Sequence, residues 1–202
     1  MVVSSLHGRA EALDSVDGDQ VTLRRPSPAD YEEWAQLRAR SRAFLTPWEP
    51  AWSIDELSRA AYRRRLRRYA REMREGLASP FFVFRKSDGS LVGGCNLNNI
   101  RRGVLQAASL GYWVGEPHRR SGYTSDAARA VMDYAFGVLE LHRVEAACIP
   151  SNDASRALLE KLGFEQEGVA RSYLKIDGVW RDHVLYALIN DGRREGPGGA
   201  WR

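Results

Sequence analysis

The chain has 202 residues, an apolar share of 44% and a formal charge of +4. That length suits one well-cored domain, the composition excludes wholesale disorder, and no apolar run reaches the ~20 residues that cross a bilayer. Cys95 and Cys148 stand apart without CxxC spacing and read as two buried free thiols, not as a disulfide or a metal pair.

Residues 1–19 are polar and aperiodic and read as a flexible tail; they lack the apolar core of a secretion signal, so a cytoplasmic protein is expected. "QVTLRR" alternates like a first strand and ends at Pro26. "SPADYEEWAQLRARSRAFL" follows as a helix, with Trp34, Leu37 and Ser41 on one side. The two prolines of "TPWEPAW" interrupt it. A second helix over 59–74 carries eight arginines. Such a run is a solvated helix face or a cradle for nucleic acid.

"FFVFRKSDGSLVGGCNLNNI" reads as a hairpin turning at Asp88-Gly89, and 105–114 as a further strand. From Ala128, apolar residues recur at i, i+3, i+4, i+7 and i+8, which predicts a helix over 125–139. "HRVEAACIP" is a short buried strand. The next helix opens at Asn152, its N-cap, and stops at Gly163. Two strands around Asp177-Gly178 close the domain, expected over 20–191. The glycine- and arginine-rich 192–202 read as a disordered tail. This order predicts an α+β fold: helices on both faces of one twisted, mixed, mostly antiparallel sheet. A helix crossover makes strands 105–114 and 142–149 parallel.

"EPHRRSGYTSD" lies between a strand and a helix mouth, where free amides and the helix dipole favour an anion. Gly122 has no Cβ to keep ligand oxygens off the main chain. Neither GxxxxGK nor GxGxxG is present. "R-R-S-G-Y-T" resembles the pyrophosphate motif (Q/R)-x-x-G-x-(G/A) of the GNAT N-acetyltransferases, with Arg119, Gly122 and Thr124 at its marked places; Thr124 departs from the usual Gly or Ala. "NDASRALLEKLGF" is similar to the family's second signature, N-x-x-S-x-x-x-x-x-K-x-G-F, through Asn152, Ser155, Lys161, Gly163 and Phe164. "LTPWEPAW", "LGYWVG" and "DGVWRDHVLYAL" resemble the RimJ/RimL-type branch, which acetylates protein N-terminal amines, including those of ribosomal proteins.

The resemblance implies a GNAT fold and acetyl-CoA as co-substrate, with no metal. It implies a pyrophosphate held by Arg119, Arg120, Ser121, Gly122, Tyr123 and Thr124. The thioester would lie near the amides of Trp113 or Val114, with Asn152, Ser155 and Lys161 completing the coenzyme site. Ser155 is the expected proton donor to the leaving thiolate. Many members place a glutamate just before "LGYW", where this chain has Ser109, so the candidates for the base's work are Glu167, relaying a proton through water, and Glu49, which could also bind the incoming ammonium group. Trp48, Glu49 and Trp52 read as a substrate lid. A protein α-amine has a pKa of ~8, against ~10.4 for lysine, so direct attack needs only a modest base. The alternatives are a small-amine or aminoglycoside acetyltransferase, and a ribosome- or RNA-binding module with a vestigial coenzyme site. Monomer and homodimer both stay open.

Overall fold

The computed structural model describes residues 14–190. The expected C-terminal tail, 192–202, lies outside the described residues, as does most of the N-terminal one. Eight strands form one sheet: β1 (Ser15–Asp17), β2 (Val21–Arg24), β3 (Phe82–Arg85), β4 (Leu91–Arg101), β5 (Ala107–Val114), β6 (Arg143–Cys148), β7 (Glu165–Ile176) and β8 (Val179–Ile189). Their order is β1-β2-β3-β4-β5-β6-β8-β7, antiparallel throughout except for the parallel β5–β6 pair. The helices are α1 (Tyr31–Arg40), α2 (Arg42–Leu45), α3 (Arg59–Arg74), α4 (Tyr123–Asp133) and α5 (Asp153–Lys161), with a π-helical turn over Tyr134–Val138 after α4.

The expected N-terminal tail is corrected at its end. Ser15–Asp17 pairs with β2, and the turn between these strands is pinned by Asp126 of α4. That buried carboxylate accepts hydrogen bonds from the amides of Asp19, Gln20 and Val21 at 2.9, 2.7 and 3.1 Å. The helix mouth is thereby fixed to the edge of the sheet.

Side-chain alternation divides the sheet into two faces. One carries Ala108, Leu110, Tyr112, Val144, Ala146, Cys148 and Val184 and packs with Ala127, Val131 and Leu159 of α4 and α5. The other carries Phe82, Phe84, Leu91 and Trp113 and packs with Trp34 and Leu37 of α1 and Tyr62 and Leu66 of α3. A Cβ on Gly94 would lie 2.5 Å from Trp113 Nε1, so a bare glycine lets the indole lie flat across β4.

The decisive feature is where β5 and β6 part. They pair only over 107–109 and 143–145, ending at Ser109 opposite Glu145, yet β5 continues to Val114 and β6 to Cys148. The strands splay and leave backbone edges free to meet a ligand.

Candidate active site

The splay opens into a cleft of about 720 Å³. Leu110–Val114 line one side and Ala146–Ile149 the other, with Asn152 and Ser155 of α5 beyond and Arg119–Ser125 across the mouth of α4. Gly115 N–H donates to Val92 on β4, so alternation turns the Val114 N–H to the opposite edge, into the splay.

At the mouth, Gly122 is the N-cap of α4 with φ of 84°, a left-handed conformation open to glycine. Arg120 also has positive φ, 57°. The loop thus lines the cleft at the positive end of an eleven-residue helix, whose first-turn amides have no partner within the helix. The Ser125 hydroxyl, in the first turn, is buried without a partner and lines the same space. A buried hydroxyl with no partner is costly, and an anion in the cleft would supply one. Arg119 stacks on Phe44 at 5.0 Å and adds charge at the rim. This set fits a pyrophosphate.

Deeper in the cleft, Tyr112 and Ser155 meet at 2.6 Å between their oxygens. Burial pushes the Tyr112 phenol above its ordinary range, so it stays protonated. Asn152 caps α5 by accepting from the Ser155 amide at 3.1 Å, fixing that serine in place. The Cys148 thiol beside them is raised, chiefly by burial.

Trp48 and Glu49 also line the cleft, whereas Trp52 does not. Glu49 as a free base is corrected. Arg38 donates to both of its oxygens, each at 2.7 Å, and Trp52 Nε1 donates to one at 2.9 Å. Arg38 is itself wedged between the rings of Trp52 and Trp113. The Glu49 carbonyl accepts from the Asp177 amide at 2.9 Å, tying this loop to the β7–β8 turn. Trp52 therefore works behind the wall, through Glu49. Glu49→Ala would strand a guanidinium whose side chain is only 7% exposed. We expect a loss of ~3 kcal/mol and a melting temperature roughly 10 °C lower. An unchanged melt would show that the pair does not hold the loop.

Two further assignments fail on position. Glu167 lies on β7, outside the cleft lining, and pairs with Arg143. That guanidinium holds its carboxyl below the usual range, the opposite of what a base requires. A bulge between Gln166 and Gly168 interrupts the strand register at this residue. Lys161, in the last turn of α5, is exposed and absent from the cleft lining; there it complements the helix dipole.

Besides Tyr112 and Ser125, the side chain missed in the sequence is His183. It is 3% exposed, lines the cleft, and makes a 3.0 Å contact from Nδ1 to the Arg181 carbonyl. A carbonyl only accepts, so Nδ1 carries the proton and Nε2 is the basic nitrogen. On β8, Val184 shares a face with its partner Cys148, so His183 belongs to the opposite face, that of Trp113. Tyr112, Cys148 and Ser155 flank the splay from one side; His183, Trp113 and Glu49 flank it from the other. Among the described residues, no group of three His, Cys, Asp or Glu side chains could hold a metal ion, and no helix is long and apolar enough to cross a membrane.

A splayed parallel strand pair beside a helix mouth suited to an anion fits an acyltransferase using a phosphate-bearing thioester carrier. A family model described as an acetyltransferase (GNAT) domain matches residues 20–165. The chain belongs to the GNAT acetyltransferases. It is 35% identical over 170 residues to the [ribosomal protein uS5]-alanine N-acetyltransferase of Escherichia coli, across 84% of this chain and 88% of that one. Mycobacterium smegmatis RimJ, solved in complex with CoA-disulfide, superposes with a TM-score of 0.85 at 32% identity, covering 93% of this chain and 91% of its own. The ribosomal-protein-S5-alanine acetyltransferase of Vibrio fischeri superposes with a TM-score of 0.81 at 32% identity, covering 88% and 97%. The protein is an N-acetyltransferase that draws its acetyl group from acetyl-CoA.

Proposed function

We propose that the acceptor is the N-terminal α-amine of a protein, a ribosomal protein foremost, and that it attacks the acetyl thioester directly. One observation carries this reading. On the face that holds His183 and Trp113, the sheet opens a second groove of about 880 Å³, lined by Asn96, Asn98, Ser109 and Glu145 and roofed by Arg65 and Arg68. A small amine has no use for such a groove; a peptide following its own N-terminus does. The relatives named as ribosomal-protein alanine acetyltransferases support the same acceptor.

In this mechanism the pyrophosphate rests on the amides of 120–124, the Ser125 hydroxyl and Arg119. The thioester carbonyl accepts from the Val114 N–H, which stabilises the oxyanion that forms as nitrogen attacks. His183 Nε2 takes the proton the amine must shed. As the carbon–sulfur bond breaks, Ser155 passes its proton to the departing sulfur and takes one from Tyr112, which regains it from solvent as the thiol leaves. No acyl-enzyme is formed.

Removing one hydrogen bond to a developing charge is worth roughly 1.5–3 kcal/mol. Ser155→Ala is accordingly expected to lower kcat at least about tenfold with little change in acetyl-CoA affinity, and Tyr112→Phe to lower it less. Steady-state kinetics decide; an unchanged kcat in the alanine variant removes the serine from the chemistry.

The acceptor is tested by thiol release from acetyl-CoA with short peptides bearing free Ala, Ser, Thr or Met N-termini, beside polyamines and aminoglycosides. Turnover that vanishes when the N-terminus is blocked is expected. Turnover on blocked lysine peptides, or on the small amines alone, would overturn the reading.

A further inference from the structure

Helix α3 carries more charge than the surrounding fold neutralises. Four of its eight arginines have partners: Arg59 with Glu32, Arg64 with Asp55, Arg65 with Glu56 and Arg68 with Glu72. The other four, Arg63, Arg67, Arg71 and Arg74, are exposed and make no ion pair among the described residues. The division follows the helix geometry. At ~100° per residue these four fall within an arc of roughly 80°, while Tyr62 and Leu66 on the far side pack against the sheet. Ala60 alone shares the arc, with Ala70 and the paired Arg64 just beyond its two edges, so no carboxylate of the helix interrupts the row. Like charges one turn apart oppose helix formation, and the tyrosine and leucine face has to hold the helix against them. None of the four lines the acetyl-transfer cleft or the second groove.

We propose that this row is a docking face for the phosphate backbone of RNA. Its length, ~17 Å at 1.5 Å per residue, meets about five phosphates of one strand at ~3.4 Å of rise each. The guanidinium fork matches phosphate oxygens. The row also lacks what a protein partner needs: within and beside the arc stand only alanines and a further arginine, with no aromatic or aliphatic anchor of the kind that dominates protein interfaces. A regular polyanion needs no anchor. The choice of RNA over DNA rests on the ribosomal acceptor proposed above; the binding itself is read without acetyl transfer.

The probe is a labelled single-stranded RNA of about 20 nucleotides, titrated with the full chain by fluorescence anisotropy between roughly 50 and 200 mM salt. Four neutralised phosphates on a single strand give an expected slope of log K against log salt near −3. The R63Q/R67Q/R71Q/R74Q variant is expected to lose this slope and to bind at least tenfold more weakly at the lowest salt. The corresponding quadruple lysine variant keeps the charge and should keep the slope. Acetyl-CoA affinity should be unchanged in both, which checks their folding. Should the quadruple glutamine variant not fold, R63Q/R67Q and R71Q/R74Q, each removing about half the slope, decide the matter. Absence of RNA binding by the parent chain, an unaltered isotherm in the glutamine variants, or equal competition by single-stranded DNA or polyglutamate overturns the proposal. RNA binding with no peptide acetylation would overturn only the acceptor; acetylation without RNA binding would overturn only the docking face.

Discussion

A His183→Asn variant is expected to lose about 10³-fold in kcat, within the range that general acid–base catalysis contributes, while its acetyl-CoA affinity stays within a factor of two or so. The expectation follows from position. His183 lies within β8, one residue past the point where its partner β6 stops, on the acceptor side of the splay, with Nδ1 committed to the Arg181 carbonyl. Among the described side chains of the cleft, the two acids weighed as bases are spoken for: Glu49 by Arg38 and Trp52, Glu167 by Arg143 outside the lining. A purely structural histidine would behave otherwise. Its ring meets Tyr173 edge-on at 5.8 Å, so loss of packing alone would lower the melting temperature and leave kcat of the folded fraction intact. Asparagine can keep a hydrogen bond to the Arg181 carbonyl but has no basic nitrogen. A folded variant with near-normal kcat would return the search for the base to water.

The sequence carried the coenzyme half of this site and little of the acceptor half, for a physical reason. The coenzyme half is local. Gly122, the capping Asn152 and the serine three residues later each act through a helix start that their own neighbours create. The acceptor half is assembled by strand register. His183 reaches the cleft because β8 pairs with β6 at Val184–Cys148, and a slip of one residue would turn it to the other face. Tyr112 lies in a strand with nothing beside it in sequence to mark a catalytic role; its partner Ser155 lies 43 residues on and is brought near by the β5–α4–β6 crossover. Ser125 is an ordinary first-turn serine in sequence, and only its burial without a partner marks it.

The fold divides along the same line. Segments with strong apolar periodicity, such as β2, β4, α4 and α5, lie where the pattern placed them. β1 was hidden because three residues with two exposed positions carry no pattern. β7 begins at Glu165, seven residues before the expected "SYLKI", because two irregularities and a mostly exposed face erase its alternation. α4 starts at Tyr123, two residues early, because its N-cap is a left-handed glycine rather than a polar side chain. One element, α3, was plain as a helix but not as a divided one: which arginines are neutralised depends on Glu32, Asp55 and Glu56, residues outside the helix itself.

Gly122→Val should raise the Kd for acetyl-CoA about 100-fold, measured by isothermal titration. The substitution leaves the local packing alone, since a Cβ at this position meets only the tip of the Gln20 side chain, 3.5 Å away. The effect lies in the backbone. At φ of 84° an L side chain costs roughly 1–2 kcal/mol, more for a β-branched one, and the loop relieves that strain by leaving the left-handed region. Doing so rotates the amides of the helix mouth away from the cleft and forfeits at least one charge-assisted hydrogen bond, worth roughly 1.5–3 kcal/mol. Together these amount to roughly 2.5–5 kcal/mol, a range that includes the ~2.7 kcal/mol that two decades of affinity require. Gly122→Ala, with a smaller strain, should fall between. Ser125→Ala separates the loop from the hydroxyl: it removes a buried group that has no partner in the protein, so it should stabilise the free fold or leave it unchanged while weakening acetyl-CoA by about tenfold. A Gly122→Val enzyme that binds acetyl-CoA as tightly as the parent would show that the pyrophosphate does not rest on this helix mouth. The arginines of the loop would then need another explanation.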